Sequence, residues 1–223
     1  MKTKLTNLFI ATTLIISGVS CKGEKKNEAE AAPAEEVIEA PAAAINFTVD
    51  TTASMIEWTG KKPTGEHTGT IKLMDGSVNT QDGKIQSGSF VIDMTSINVT
   101  DLEGDKKAGL EGHLKGEGEE KKDHFFNVAE HPKATFELTG IVEKEGKTMI
   151  EGNLTIKGIK KNISFPATSS VEGDMMTLTS EVFTINRTDW GVNYGSKSVF
   201  ENLGDKFIND DIELKVNLKA NKA

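Results

Sequence analysis

The chain has 223 residues, enough for one domain with a substantial core and something appended to it. A net charge of −8 argues against nucleic acid as a partner, because a phosphate-binding surface is basic. The single cysteine excludes an intramolecular disulfide and any cysteine-based metal site, so the fold must be held by its core.

The first residues read as a targeting segment. Lys2 and Lys4 give a charged start, and "LFIATTLIIS" is an apolar stretch well short of the ~20 residues a spanning helix needs. Small residues then lead to Cys21. A cysteine placed here resembles a bacterial lipobox, in which the thiol receives a diacylglycerol and becomes the new N-terminus. Ser20 fits that pattern; Gly18 stands where it usually has Leu, Val or Ile. Residues 1–20 are therefore read as a lipoprotein signal peptide and Cys21 as the lipidation site. Residues 21–44, rich in Ala, Glu, Lys and Pro, have little to bury and read as a disordered acidic tether. Lys22 is not the aspartate that resembles an inner-membrane retention signal. An outer-membrane lipoprotein of the cell envelope, facing the periplasm or the cell surface, is the expectation.

From Ile45 onward the dominant period is two. "INFTVD", "SMIEWTG" and "GTIKLMDG" put Ile45, Phe47, Val49, Ile56, Trp58, Ile71 and Leu73 on inner faces. "GSFVIDM" adds Phe90, Ile92 and Met94, and "ATFELTG" adds Phe136 and Leu138. "TMIEGNLTIKG" gives Ile150, Leu154 and Ile156; "NISFP" gives Ile163 and Phe165. "MMTLTSEVFTI" gives Met176, Leu178 and Val182, and the C-terminal "DDIELKVNLKA" gives Ile212, Leu214, Val216 and Leu218. Turn signals "MDGS", "QDGK", "KEGK", "IKGIKK" and "VEGD" separate these runs. About eight strands at such spacing predict an all-β fold, an antiparallel barrel or sandwich.

Residues 101–130 break the pattern. Five glycines, each costing a helix about 1 kcal/mol relative to alanine, allow short helical turns there rather than a long helix. The sparse Leu102, Leu110, Leu114, Phe125 and Phe126 would cap one end of the barrel. His113, His124 and His131 lie eleven and seven apart, which fits neither a helical face nor short metal-ligand spacing, so no metal site is assigned. Asp205, Asp210 and Asp211 lack the alternating ligands of a calcium loop and read as a solvated turn. Arg187 and Asp189, two apart, read as an ion pair at a strand end, with an anion-binding arginine as the sharper alternative. No nucleophile elbow, phosphate loop, dinucleotide fingerprint or HExxH motif occurs. No catalytic residue and no cofactor is assigned, and a histidine-based metal hydrolase ranks last among the functions considered.

Three ordered stretches, "GHLKGEGEEKKDHFFNVAEHPKATFE", "IEGNLTIKGIKKNISFP" and "FTINRTDWGVNYG", resemble the successive signatures of the YceI-like family. The resemblance runs from about Ile45 to the C-terminus, and the C-terminal stretch resembles the lipoprotein form found in Bacteroidetes-type bacteria. It implies an eight-stranded antiparallel lipocalin-like barrel over 45–223, with a long apolar pocket that in some members holds a polyisoprenoid chain. The expected ligand is then a polyisoprenoid or isoprenoid-quinone-like lipid. The expected inward residues are Phe90, Ile92, Phe136, Leu138, Leu154, Ile156, Phe165, Met176, Leu178, Leu214 and Val216. Phe125-Phe126 and His131-Pro132 match a structural corner of the family. The alternative function is an envelope stress or interaction protein whose barrel is a scaffold; its loop "VNYGSKSVFENL" would bind a protein partner the sequence does not name.

Overall fold

The computed structural model describes residues 27–223. Its strands are β1 Ile45–Val49, β2 Met55–Lys62, β3 Gly65–Gln81, β4 Lys84–Val99, β5 Lys133–Lys144, β6 Lys147–Ile156, β7 Ile159–Glu172, β8 Met175–Ser180, β9 Phe183–Asn186 and β10 Asp211–Lys222. One helix, α1 Gly104–Lys115, joins β4 to β5. All strand pairings are antiparallel, and β10 pairs with both β2 and β8, which closes the sheet into a ring.

The ring has eight staves. β1 and β2 together make one of them, both lying between β3 and β10. Between them the Asp50 carboxylate accepts the N–H groups of Thr52 and Ala53 and fixes a turn. β8 and β9 likewise share a stave along β10, interrupted at Glu181 and Val182. This is the eight-stranded antiparallel barrel expected from alternation and resemblance, with the helical element of 101–130 as a single helix.

Three hairpins carry paired positive φ at Asp82-Gly83, Glu145-Gly146 and Lys157-Gly158, the mirror-image turns whose twist suits a hairpin. Gly173 opens the β7–β8 turn. "MDGS" is a correction: β3 runs straight through it, with a register shift between Leu73 and Asp75. The partner strand β4 is long enough to keep pairing on both sides, so the extra residue becomes a bulge. Gly76 is glycine for closeness, since a Cβ would lie 2.9 Å from both Phe90 and Val49. Val182 is a second correction. The strand breaks there, leaving Val182 exposed and putting Phe183 inside. Ile45 is exposed as well, outside the sealed part of the ring.

The tether expectation also fails over part of its length. Residues 27–38 lie against the barrel. Ala29 bonds to Thr184, Ala32 to Asn162, Glu35 to the Asn153 side chain and Ile38 to Leu138. Low hydrophobicity predicted disorder, but backbone hydrogen bonds need no apolar side chains, and Ala29 is small enough to enter the core. Residues 1–20 and Cys21 lie outside the described residues.

Candidate functional site

The inner faces of the staves enclose two hollows that share walls. The larger, about 310 Å³, lies toward the end where α1 and the long loops meet the barrel. Its sides include Trp58, Met94, Leu114, Phe126, Ile156 and Trp190. The smaller, about 90 Å³, lies deeper. Ile56, Ile92, Leu154 and Leu214 border both, so the two hollows adjoin across these four apolar side chains.

Of the inward residues expected from sequence, Phe90, Phe136, Leu138, Phe165, Leu178 and Val216 border the deep hollow. Ile156 borders the outer one, and Ile92, Leu154 and Leu214 border both. Met176 is the correction: it is fully buried but borders neither hollow. It pairs across the sheet with Ala220 and Val171 beyond the hollows, where side chains simply fill the ring.

Four phenylalanines cross the deep end in a chain of contacts. Ring centroids are 6.4 Å apart for Phe90–Phe136, 5.7 Å for Phe136–Phe165 and 4.4 Å for the stacked pair Phe165–Phe183. Room for Phe136 comes from Gly152 on the paired strand, where a Cβ would sit 2.2 Å from the ring. Trp58 is seated the same way over Gly69. The Trp58 indole borders the larger hollow, and its N–H is buried with no hydrogen-bond partner among the described residues. A buried donor without an acceptor is costly unless a small rearrangement or a ligand brings it one.

The mouth is built by elements that alternation cannot read. His113 from α1 and His124 from the following loop meet at 2.8 Å between Nε2 and Nδ1. Tyr194 stacks on His124 at 4.1 Å, and Phe125 meets His113 edge-on. Burial, then the nearby His124 and Lys121 charges, push the His113 pKa below the ordinary histidine value. His67 instead pairs with Asp101 at 2.8 Å, and the His131 N–H is bonded to the Asn127 carbonyl. Among the described residues no group of three or more His, Cys, Asp or Glu side chains is placed to hold a metal.

Arg187 is buried under the mouth. It donates to the carbonyls of Asn209, Val192 and Ile208 and lies 3.5 Å from Asp210. Its expected pairing with Asp189 is therefore corrected: Arg187–Trp190 form a 3₁₀ turn, so the two side chains do not share a strand face. With three of its donors on backbone carbonyls and Asp210 beside it, Arg187 knits the 183–211 segment together. Asp210 is thereby drawn into this knot, not left in a solvated turn. Burial raises the Asp189 pKa, partly offset by Lys161. In the 192–203 loop, Val199 and Phe200 are nearly half exposed, while Tyr194 leans into the histidine cluster. The meeting of His113, His124 and Tyr194 was not visible in the sequence, since no spacing rule links three loop and helix positions so far apart.

A family model described as "YceI-like domain" matches residues 47–220. Curated relatives named "Protein YceI" from Salmonella arizonae and Salmonella paratyphi B are each 36% identical over 110 residues, covering 48% of this chain and 50% of theirs. The chain thus spans about half the length of the curated relatives it matches. Among solved structures, BcnA of Burkholderia cenocepacia aligns with a TM-score of 0.59 and 25% identity, covering 77% of this chain and 99% of that one. A polyisoprenoid binding domain from Saccharophagus degradans, implicated in plant cell wall breakdown, aligns with a TM-score of 0.55 and 14% identity over 80% and 99%.

Proposed function

The chain belongs to the YceI-like family, and on that premise we propose that it binds a long polyisoprenoid or similar amphiphilic lipid inside its barrel, without covalent chemistry. The observation that carries this reading is the barrel interior, whose two adjoining hollows have almost wholly apolar walls. A volume near 310 Å³ falls at the lower end of the ~300–1,000 Å³ range of ligand pockets. The Saccharophagus degradans neighbour, described as a polyisoprenoid binding domain, shares this fold.

Affinity sets the ligand's size. At about 0.3 kcal/mol per heavy atom, an isoprene unit contributes ~1.5 kcal/mol. Micromolar binding needs about 8 kcal/mol, hence roughly five or six units. The ligand's polar end belongs near Trp58, whose unpartnered N–H suits a hydroxyl or carbonyl oxygen. Cys21, as lipid attachment point, would hold the barrel to the outer membrane, where such a protein acts as carrier or sequestering agent.

Native mass spectrometry of the whole processed chain, purified without detergent, tests the reading. A co-purifying molecule of prenyl mass supports it. An apo mass unchanged by polyprenyl alcohols or quinones overturns it. Anchoring is tested separately, because Cys21→Ser should move the protein from the membrane fraction to the soluble one.

One observation favours a second reading. Val199 and Phe200 are exposed side by side on the mouth loop. If that loop is a docking site for an envelope protein, alanine at both positions breaks a pull-down and spares lipid binding.

A further inference from the structure

The barrel wall is not closed by its ten strands alone. β7 pairs with β8 from Ala167 to Glu172, and the last rung beyond is the Glu181 N–H on the Pro166 carbonyl. Pro166 has no N–H to return, so the ladder stops there. Beyond this point β7 continues as residues 159–166, bonded to β6 on one side. β9 continues along β10. The edges of β7 and β9 that face each other have no rungs between them.

Residues 27–32 fill this seam. On one side the Ala29 N–H donates to the Thr184 carbonyl and the Thr184 N–H to the Asn27 carbonyl. On the other, the Ala32 N–H donates to Asn162 and the Asn162 N–H returns to Ala32, both near 2.9 Å. The segment alternates as a strand does: Ala29 is buried in the core and Ala31 packs against it, while Glu28, Glu30 and Ala32 face out. Behind it stand Ile163 and Phe165 of β7 and Phe183 and Ile185 of β9, which border the hollows. Small side chains are required there because the stacked Phe165–Phe183 pair already occupies the inner face.

We propose that the β7–β9 seam is a strand-addition site, that its occupant is the chain's own segment 27–32, and that unseating this segment opens a lateral entrance to the barrel interior. The segment is held by four backbone hydrogen bonds and two from the Asn27 side chain to Glu181 and Val182, but it buries only small alanine side chains, so little apolar area anchors it to the wall. Its removal leaves the stacked Phe165–Phe183 pair as the remaining cover of the seam, and parting of those two rings admits a flexible hydrocarbon sideways, without its threading the aromatic mouth. The proposal rests on the lipid-binding reading. If Cys21 carries the anchor, the six residues to Asn27 span at most ~20 Å, which keeps a seated seam close to the bilayer.

The test compares three forms of the chain carrying Cys21→Ser. One is otherwise unaltered. One carries Ala29→Pro and Ala32→Pro, which delete the two N–H groups given by the segment. One carries Ala32→Cys and Asn162→Cys, positions facing each other as a hydrogen-bonded antiparallel pair, a spacing of ~5.5 Å that a disulfide bridges. Two readouts are taken: hydrogen exchange of the Asn162 and Thr184 amides, and the uptake rate of a fluorescent prenyl alcohol. In the proline form both amides should exchange, and the probe enter, about tenfold faster. In the oxidised cysteine form uptake should slow by a similar factor and recover on reduction, which cancels any effect of losing the Asn162 side chain. Equal uptake before and after reduction overturns the entrance. Unchanged amide exchange in the proline form overturns the segment's place in the wall. If no form takes up the probe, the lipid-pocket reading falls instead, and the strand-addition site is judged by exchange alone.

Discussion

The deep end of the barrel and its mouth are built on opposite plans. At the deep end, alternate residues of paired strands point inward, and Phe90, Phe136, Phe165 and Phe183 touch in sequence across the space. At the mouth the side chains come from a helix, a glycine-rich loop and a 3₁₀ turn, held by an arginine whose donors serve three carbonyls. At the deep end each ring is braced by others. The mouth keeps the larger hollow, a lone indole donor and two hydrogen-bonded histidines. Stability should therefore reside mostly in the first region and ligand selection in the second.

The largest expected effect comes from a charge at the deep end. Leu178→Arg places an unpaired cation among apolar residues of the smaller hollow and should cost about 4 kcal/mol or more, the range of unpaired buried charges. Urea unfolding should show it directly, and lipid uptake should vanish with the fold. Leu154→Arg puts the same charge where the two hollows join, so a folded Leu154→Arg protein that still takes up lipid would break the division of labour. Next in size is Phe136→Ala, at about 3–5 kcal/mol. It should also enlarge the deep hollow and tighten binding of short prenyl alcohols, because dry apolar cavities accept such guests. Calorimetric titration with a two-unit and a six-unit alcohol reads that shift.

Smaller again is Trp58→Phe. A smaller aromatic ring remains and the donor is lost, so relief of the buried unpaired N–H offsets part of the packing lost over Gly69 and thermal stability should fall only slightly. Affinity for a prenyl alcohol should fall about fivefold, the worth of one hydrogen bond of ~1 kcal/mol. A prenyl hydrocarbon without oxygen should bind both proteins alike. If the hydrocarbon loses affinity too, Trp58 acts by packing against the chain and the mouth selects by shape.

The same division explains what was legible in the sequence. Strand faces such as Phe90-Ile92 or Leu154-Ile156 announce themselves, because a period of two has one physical cause and repeats. Asp82-Gly83 and its kin announce turns for a similarly local reason. "MDGS" looked identical and was not a turn, since the decision lay with the length of β4, which no local signal reports. The histidine cluster depends on where α1 and two loops come to rest. The segment 27–32 was hidden for another reason: it contributes backbone and two alanines, and hydrophobicity is blind to both. One clue to the seam was present. Pro166 inside a strand marks an edge.

The smallest expected effect tests whether the mouth is a coupled unit. His113 has its pKa depressed by burial first, and next by the positive charges of His124 and Lys121; Phe125 and Tyr194 complete its surroundings without charge. In the unfolded chain the same group titrates near its ordinary value of about 6.5. Between the depressed folded value and about 6.5 the unfolded state therefore binds more protons. Folding is favoured above that window and loses stability as pH falls through it. Urea midpoints measured from pH 7.5 down to pH 5 should decline in the unaltered protein, and His113→Gln should flatten the decline without lowering the midpoint at pH 7.5. A decline of equal slope in the variant would mean that acid sensitivity resides in another group. The histidine pair would then be packing at the rim, and the contrast between the two ends would reduce to the size of their hollows.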